Sequence, residues 1–190
     1  MKLTTRFEQA LQYAVLVHAH QVRKGSDIPY VAHLLGVTSI ALEYDATEDE
    51  AIGALLHDAG EDAGGDGRIE DVRYRFGNAV AEIVQGCTDA VVMPKPPWRK
   101  RKEDYIAHVP TASASIRLVS ASDKLHNLRA ILRDFRRIGD ALWALFTGGK
   151  EGTLWYYRAL VTAFREAGTS ELVEELDRVM TELENLVAKP

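Results

Sequence analysis

Thr47-Glu-Asp-Glu-Ala-Ile-Gly-Ala-Leu-Leu-His-Asp58 gives the clearest indication of how this chain folds. It begins with a capping box, in which Thr47 and Glu50 satisfy free backbone amides at a helix start. The apolar residues that follow occupy nearly all sides of the helix, so we expect this helix to lie centrally. His57 and Asp58 then place two polar side chains at the edge of the core.

Helical periodicity continues on both sides of this stretch. Thr5 and Glu8 form a second capping-box pattern, Gly77 predicts a break, and a long helix is expected over 114–137. Two further helices are expected over 154–167 and about 170–188, and the proline-dense segment 93–97 is expected to be a loop. The pattern predicts an all-α helical bundle, a single domain over 1–190 with its core at about 7–164. The apolar face of the last helix either closes the core or forms a homo-oligomer, and the sequence leaves both open.

Composition excludes several functional classes. The chain has 190 residues, 46% of them hydrophobic, and a net charge of -5, which argues against a general nucleic-acid-binding protein. A single cysteine, Cys87, allows no intramolecular disulfide. No apolar run approaches the roughly 20 residues that span a bilayer, and the N-terminus does not resemble a signal peptide. We therefore expect a cytoplasmic protein with no membrane partner.

The strongest candidate for chemistry is the acidic cluster around His57 and Asp58. Glu61 and Asp62 each follow one member of the pair by four residues, so each pair shares a face if the helix persists. A bound cation would relieve the repulsion between such crowded carboxylates. The alternative is that His57 and Asp58 end a helix and the two acids are solvated.

Two further polar residues lie in apolar surroundings elsewhere. His33 precedes an apolar run, where a histidine is more often a satisfied core residue than a ligand. Asp123 lies in an apolar helix, and a buried aspartate is costly unless it is paired or binds metal. Lys124 and Arg129 are the partners available for pairing.

Basic and aromatic residues suggest where an anionic ligand could bind. Arg23 and Lys24 could hold phosphate, although a solvated helix end is the commoner explanation for such a pair. The basic run over 98–102 is interpreted as a solvated helix start, and the aromatic run over 155–157 as core packing or a stacking surface. The remaining histidines are interpreted as structural or surface residues: His18, His20, His108 and His126.

Taken together, these segments resemble the HD-domain superfamily of metal-dependent phosphohydrolases, and most closely the hydrolase domain of RelA/SpoT homologues and the small alarmone hydrolases. The resemblance rests on segments that occur in the same order: His18-Ala-His-Gln21, Arg23-Lys24-Gly25, Pro29-Tyr30, His33, Leu55-Leu-His-Asp58, Glu61-Asp62, Phe76-Gly77, Thr88-Asp89, Ser122-Asp-Lys-Leu-His-Asn127 and Trp155-Tyr156. Leu34 and Gly60 depart from the usual pattern, as do the segments 96–98 and 148–152, and these departures bear on the substrate.

The resemblance implies an all-helical domain with one divalent metal ion, usually Mn²⁺. It implies four metal ligands, two catalytic acids that act on the attacking water, and four substrate-binding residues. The ligands are His33, His57, Asp58 and Asp123; the acids are Glu61 and Asp62; the substrate-binding residues are Arg23, Lys24, Asn127 and Tyr156. It also implies hydrolysis of guanosine 3′,5′-bis(diphosphate) (ppGpp), the alarmone of the stringent response, to GDP and pyrophosphate.

Two alternatives stay open beside that function. One is an HD-type phosphatase that acts on another nucleotide, such as a monoester or a 2′-phosphorylated dinucleotide. The other is a non-catalytic sensor domain that binds a nucleotide.

Overall fold

The structure, a computed structural model, describes residues 2–62, 65–88 and 96–189, with only the backbone described at 61, 62, 65 and 66. Its α-helices are α1 (Thr5–Val17), α2 (Val31–Glu43), α3 (Glu48–Leu56), α4 (Ala59–Asp62), α5 (Gly65–Phe76), α6 (Asn78–Cys87), α7 (Trp98–His108), α8 (Ala114–Ile138), α9 (Gly149–Ala167) and α10 (Glu171–Val187). Short 3₁₀ segments lie at Val109–Thr111 and Gly139–Leu145. Within these ranges, extended pairing is limited to one isolated bridge, between Val22 and Pro29, so the all-α prediction is confirmed.

The ends of the helices follow the local chemistry of the sequence. At α3, the side chain of Thr47 accepts from the amide of Glu50 while Glu50 accepts from the amide of Thr47, as the capping box predicts. At α1 the prediction was wrong by one residue, because Thr4 rather than Thr5 is the N-cap and accepts from the amide of Arg6. Gly77, with φ of 95°, separates α5 from α6 as expected.

Helix α3 lies at the centre of the fold, as its apolar sequence predicts. Every residue from Ala51 to Leu56 is buried. The helix packs against α1, α2, α6 and α8. A helix surrounded in this way fixes the position of whatever follows its last turn, and here that is the His57-Asp58 pair.

Helix α8 forms the second axis of the molecule and is slightly longer than expected. Leu125 and Leu128 on this helix are fully buried, and they pack in one hydrophobic cluster with Leu160 and Phe164 of α9. The apolar face of α10 joins the same cluster through residues such as Leu176. The apolar face of the last helix therefore closes the core, which is the first of the two possibilities that the sequence left open.

These helices bring three distant parts of the chain together. Helix α2 packs against both α3 and α8, and α3 also packs against α8. The first turn of α2, the end of α3 and the middle of α8 therefore face a common space. In the part of the chain that is described, none of the helices combines the length and apolar composition that a bilayer crossing requires.

Candidate metal centre and adjoining cavity

His57 and Asp58 occupy the turn between α3 and α4, so α3 ends at this pair, as one part of the alternative interpretation expected. The side chain of His57 is 2% exposed, and its Nδ1 donates a hydrogen bond of 2.8 Å to the carbonyl oxygen of Ala54. In the neutral form of this imidazole, which carries one hydrogen, the bond places the lone pair on Nε2. Nε2 of His57 lies 3.0 Å from Oδ2 of Asp58.

His33 and Asp123 reach the same point from α2 and α8. Nε2 of His33 lies 3.2 Å from Oδ1 of Asp123 and 3.5 Å from Oδ2 of Asp58. Nε2 of His57 lies 3.6 Å from the same oxygen of Asp123. The structure thus brings together four residues from three distant parts of the chain.

This arrangement fits a divalent metal ion. The ligand atoms of His33, His57 and Asp58 all lie within 4.8 Å of one another. Nε2 of His57 is buried and has no hydrogen-bond partner, although two carboxylate oxygens lie nearby. A buried polar atom left in this state is costly unless something binds it. Imidazole nitrogens mixed with carboxylate oxygens are donors that suit a divalent transition metal.

Side chains outside the ligand set donate hydrogen bonds to the carboxylates of the centre. Tyr30 donates its hydroxyl to Oδ2 of Asp58 at 2.6 Å. Asp123 accepts from Asn127 on Oδ1 and from Lys124 on Oδ2, each at 2.5 Å. The pairing with Lys124 considered from the sequence is therefore present, and it leaves Oδ1 facing the two histidines. Such outer contacts orient ligands and tune a metal site.

The electrostatics of the centre favour charged carboxylates. Burial raises the pKa of Asp58, but the neighbouring His57 and His33 outweigh it and hold that pKa well below its usual range. Burial likewise opposes ionisation of Asp123, yet Lys124 and the two histidines keep its pKa well below the usual range. Burial lowers the pKa of His57, while Asp58 and Asp123 more than reverse this and raise it.

A cavity of about 330 Å³ adjoins the centre and shares His33 with it. Arg23, Lys24 and Arg133 contribute cationic side chains to its lining, and Leu142 and Phe146 contribute apolar ones. Arg23 donates a 2.7 Å hydrogen bond to Oδ1 of Asn127. A cavity with basic and apolar walls fits an anionic molecule that also carries a flat apolar part, as a nucleotide does.

The sequence profile of the HD domain matches residues 10–154, a span that includes every member of the centre. The chain belongs to the HD domain family. A guanosine-3′,5′-bis(diphosphate) 3′-pyrophosphohydrolase MESH1 from Danio rerio is 38% identical over 128 residues, covering 66% of this chain and 68% of that protein. The human MESH1 is 34% identical over 128 residues, covering 66% and 69% of the two chains.

Solved structures agree with the sequence likeness. A metazoan orthologue of SpoT, described as hydrolysing ppGpp and acting in starvation responses, superposes on this HD domain with a TM-score of 0.80. The two chains are 28% identical, and the match covers 96% of this chain and 97% of that one. The resemblance to RelA/SpoT hydrolase domains is thereby confirmed.

Some of the residues predicted for catalysis and substrate binding line the cavity of this HD domain, whereas for others the structure does not test the prediction. Arg23, Lys24 and Asn127 line the cavity. The backbone of Glu61 and Asp62 forms the end of α4, but their side chains lie outside the described part of the chain, so their role stays a prediction.

Tyr156 is not among the described residues that line the cavity, whereas its neighbour Tyr157 is. Tyr156 is 6% exposed and packs near the rings of Trp98 and Trp155. A substrate contact by Tyr156 therefore stays a prediction, and Tyr157 becomes an additional candidate.

Two residues beside the centre, His126 and Tyr30, were not predicted as site residues. His126, interpreted as structural or surface, lines the cavity and lies with its Nδ1 2.9 Å from Nδ1 of His33. Burial, with the charges of His33 and Arg23, lowers the pKa of His126 to about 4. Tyr30 belongs to the family pattern, but no function was predicted for it from the sequence. The spacing of His126, three residues after Asp123 on one helix, is the signal that could have indicated it.

The segments that depart from the family pattern contact each other. The ring of Trp98 lies so close to Gly148 that a Cβ atom there would come within 2.6 Å of it. Gly152 faces the same ring. Neither Trp98 nor these glycines is among the described residues that line the cavity. These two departing segments therefore pack α7 against the start of α9. Of the proline-dense loop, residues 93–95 lie outside the described residues.

Proposed function

We propose that this HD domain hydrolyses ppGpp to GDP and pyrophosphate, using a divalent cation, Mn²⁺, held by His33, His57, Asp58 and Asp123. The observation that carries the proposal is the convergence of those four side chains at the wall of a cationic cavity. The likeness to MESH1 proteins supports ppGpp as the substrate. Mn²⁺ is the ion that the family resemblance favours, and the mixed nitrogen and oxygen donors suit it.

The substrate is held mainly by charge. Arg23 offers a planar fork to phosphate oxygens and Lys24 offers a point charge. The hydrogen bond from Arg23 to Asn127 orients the guanidinium beside the centre. Apolar residues of the cavity, among them Leu142 and Phe146, pack against the nucleoside and exclude water from it.

The chemical step is an attack by water on phosphorus. When bound, the cation supplies Lewis acidity toward water and phosphoryl oxygens. Glu61, assisted by Asp62, orients the attacking water and accepts its proton. The water oxygen bonds to the phosphorus that carries the ribose 3′ oxygen, and the bond between that phosphorus and the 3′ oxygen breaks. Pyrophosphate leaves, and the 3′ oxygen takes up a proton to give GDP.

The position of Glu61 and Asp62 in the chain supports this assignment. They end α4, which follows directly on the ligand pair His57 and Asp58. A short helix anchored at a buried ligand holds its residues at a nearly fixed distance from the centre. We also propose a cytoplasmic location. With Cys87 as its single cysteine, the chain forms no intramolecular disulfide that would require an oxidising compartment.

Product analysis with metal-stripped protein tests the proposal. With Mn²⁺ restored, we expect pyrophosphate and GDP to appear in equal amounts from ppGpp, and neither to appear in the presence of a chelator. Asp123→Asn should lose both bound metal and turnover, whereas Asp104→Asn, at an exposed position on α7, should keep both. Asp123→Asn with full metal content and full rate would overturn the ligand assignment.

The same assay separates the two alternatives. Release of inorganic phosphate without pyrophosphate, from ppGpp or from a 2′-phosphorylated dinucleotide, would indicate a phosphatase instead. Tight binding of ppGpp without any product would indicate a sensor domain. The oligomeric state is a separate matter and stays a prediction.

A further inference from the structure

The rings of His33 and His126 face each other through their Nδ1 atoms. Their Nδ1 atoms lie 2.9 Å apart, and their rings are inclined at 55° with centroids 4.8 Å apart. A contact of that length between two imidazole nitrogens is a hydrogen bond only if one ring donates and the other accepts. The direction of this bond decides which nitrogen of His33 carries its lone pair.

The other nitrogen of His33 fixes that direction. Nε2 of His33 faces the carboxylates of Asp123 and Asp58, at 3.2 and 3.5 Å. To bind a cation there, this nitrogen must present a lone pair, so the hydrogen of the neutral ring must sit on Nδ1. Nδ1 of His126 is then the acceptor, and His126 carries its own hydrogen on Nε2.

We propose that His126 is a positioning residue for the metal centre: it accepts the Nδ1 hydrogen of His33 and so holds the ring of that ligand with Nε2 toward the ion. The inference rests on the metal centre of the proposed function. In this proposal, His126 acts by orienting the metal ligand His33 and not by binding the substrate, although it also lines the cavity.

The other ligand histidine shows the same arrangement with a different acceptor. Nδ1 of His57 donates to the backbone carbonyl of Ala54 at 2.8 Å. A backbone acceptor cannot be removed by changing a side chain. For His33 the acceptor is the side chain of His126, and a substitution can therefore remove it.

Gly36 provides the space that this arrangement needs. It lies one turn after His33 on α2, and a Cβ atom built on it would come within 2.2 Å of Nε2 and 2.3 Å of Cδ2 of His126. Those distances are far inside van der Waals contact, so any side chain at position 36 would displace the ring. Glycine is a poor helix former, and the close approach of His126 gives a reason for it in the middle of α2.

Two substitutions at position 126 differ in whether they keep a hydrogen-bond acceptor for Nδ1 of His33. Asparagine places its Oδ1 about where histidine places Nδ1, so His126→Asn keeps an acceptor for His33. Leucine has similar bulk near the backbone and no acceptor. If His126 only fills space, leucine is the better replacement; if it accepts a hydrogen bond, asparagine is.

Mn²⁺ affinity, measured by calorimetric titration of metal-stripped protein, tests the proposal without relying on turnover. Loss of a partner behind a ligand typically weakens metal binding by about 10- to 100-fold, and we expect this for His126→Leu. His126→Asn should bind Mn²⁺ nearly as tightly as the wild type. Equal affinity for wild type and His126→Leu, or weaker binding by His126→Asn than by His126→Leu, would overturn the proposal.

A double-mutant cycle with Gly36 provides a second, independent test. Gly36→Ala should weaken Mn²⁺ binding in the wild-type background, because the new methyl group displaces His126. In a His126→Ala background the ring is absent, so the same substitution should cause little further loss. Equal losses in both backgrounds would show that Gly36 acts through something other than His126.

Nuclear magnetic resonance reports the hydrogen itself. In protein loaded with diamagnetic Zn²⁺ and labelled with ¹⁵N-histidine, we expect an Nδ1–H signal for His33 in the wild type and in His126→Asn. His126→Leu should shift that signal or lose it to exchange. These outcomes are distinct from failure of the proposed function: a wild-type protein that binds no Mn²⁺ contradicts the metal centre, whereas active protein with an unaffected His126→Leu variant contradicts only the inference.

Discussion

Tyr30 donates its hydroxyl hydrogen to Oδ2 of Asp58 at 2.6 Å. The same carboxylate oxygen lies 3.0 Å from Nε2 of His57. The ring of Tyr30 is itself held, since it stacks on His18 with centroids 5.2 Å apart. A ligand carboxylate of the proposed centre is thus oriented by a tyrosine whose own position is fixed by packing.

Tyr30→Phe should weaken Mn²⁺ binding while leaving the fold intact. The substitution removes the donor behind Asp58 and keeps the ring, so we expect a loss of about 10-fold in affinity. Calorimetric titration of the metal-stripped protein measures it. Tyr74→Phe is the matched control, because Tyr74 is 90% exposed on α5. Unchanged affinity in Tyr30→Phe would show that Asp58 needs no such partner.

Arg23→Met should raise KM for ppGpp more than it lowers kcat. The substitution keeps much of the apolar stem and removes the charged fork, and a hydrogen bond to a charged group contributes about 1.5–3 kcal/mol, or roughly 10- to 100-fold in affinity. Steady-state kinetics over a range of ppGpp concentrations separates the two constants. Arg99→Met on exposed α7 provides the control. A selective drop in kcat would instead assign Arg23 to the transition state.

Substitution of the two adjacent tyrosines decides which one meets the substrate. Tyr157 lines the cavity, so we expect Tyr157→Phe to raise KM for ppGpp. Tyr156 packs among Trp98 and Trp155, so Tyr156→Phe should change KM little. The opposite result would restore the family-based assignment of Tyr156. Thermal melts of both variants check that neither change simply unfolds the chain.

Asp177 makes the stability of the α9–α10 contact depend on pH. Burial raises its pKa, but hydrogen bonds and charge from Arg158 and Arg165 outweigh burial and hold that pKa below its usual value. A carboxylate with a lowered folded-state pKa stabilises the fold above its unfolded value of about 3.9, and the contribution is lost as pH falls through the folded value.

Asp177→Asn should therefore lower the free energy of unfolding at pH 7 by about 0.5–1 kcal/mol, the size of a partly exposed ion pair. The difference from wild type should shrink as the pH falls below about 4. Urea denaturation in the presence of a chelator measures it at each pH. Asp104→Asn, in a single exposed pair with Lys100, is expected to cost less. A difference that does not depend on pH would exclude the ionised carboxylate as its source.

Local patterns in the sequence predicted most of the fold. The capping box of Thr47 and Glu50 and the apolar run after it placed α3 correctly, because both signals arise within one helix. The same kind of signal missed the start of α1 by one residue, since Thr4 and Thr5 are equally suitable caps. The end of the helix at His57 was one of two possibilities, because the local sequence does not choose between a helix that ends there and one that continues.

Local sequence patterns did not predict the contacts between side chains of different helices at the metal centre. The convergence of His33 with Asp123 was proposed only through the family resemblance, since 90 residues separate them. The spacing of His126 from Asp123 places both on one face of α8, but their meeting with His33 depends on the packing of α2 against α8, which the sequence does not show. Sequence alone equally gave no reason to choose Tyr157 over Tyr156, because one residue of rotation on α9 decides which ring reaches the cavity.

The ligands come from α2, from the turn after α3 and from α8, and these three helices meet in one small hydrophobic cluster that includes Val37, Ala54 and Val119. A cation at their junction would act as a removable cross-link between these helices. Its free concentration would then add to the stability of the whole chain by mass action, about 2.7 kcal/mol at 100 times Kd. Scarcity of that cation would then lower the free energy of unfolding as well as the rate of turnover.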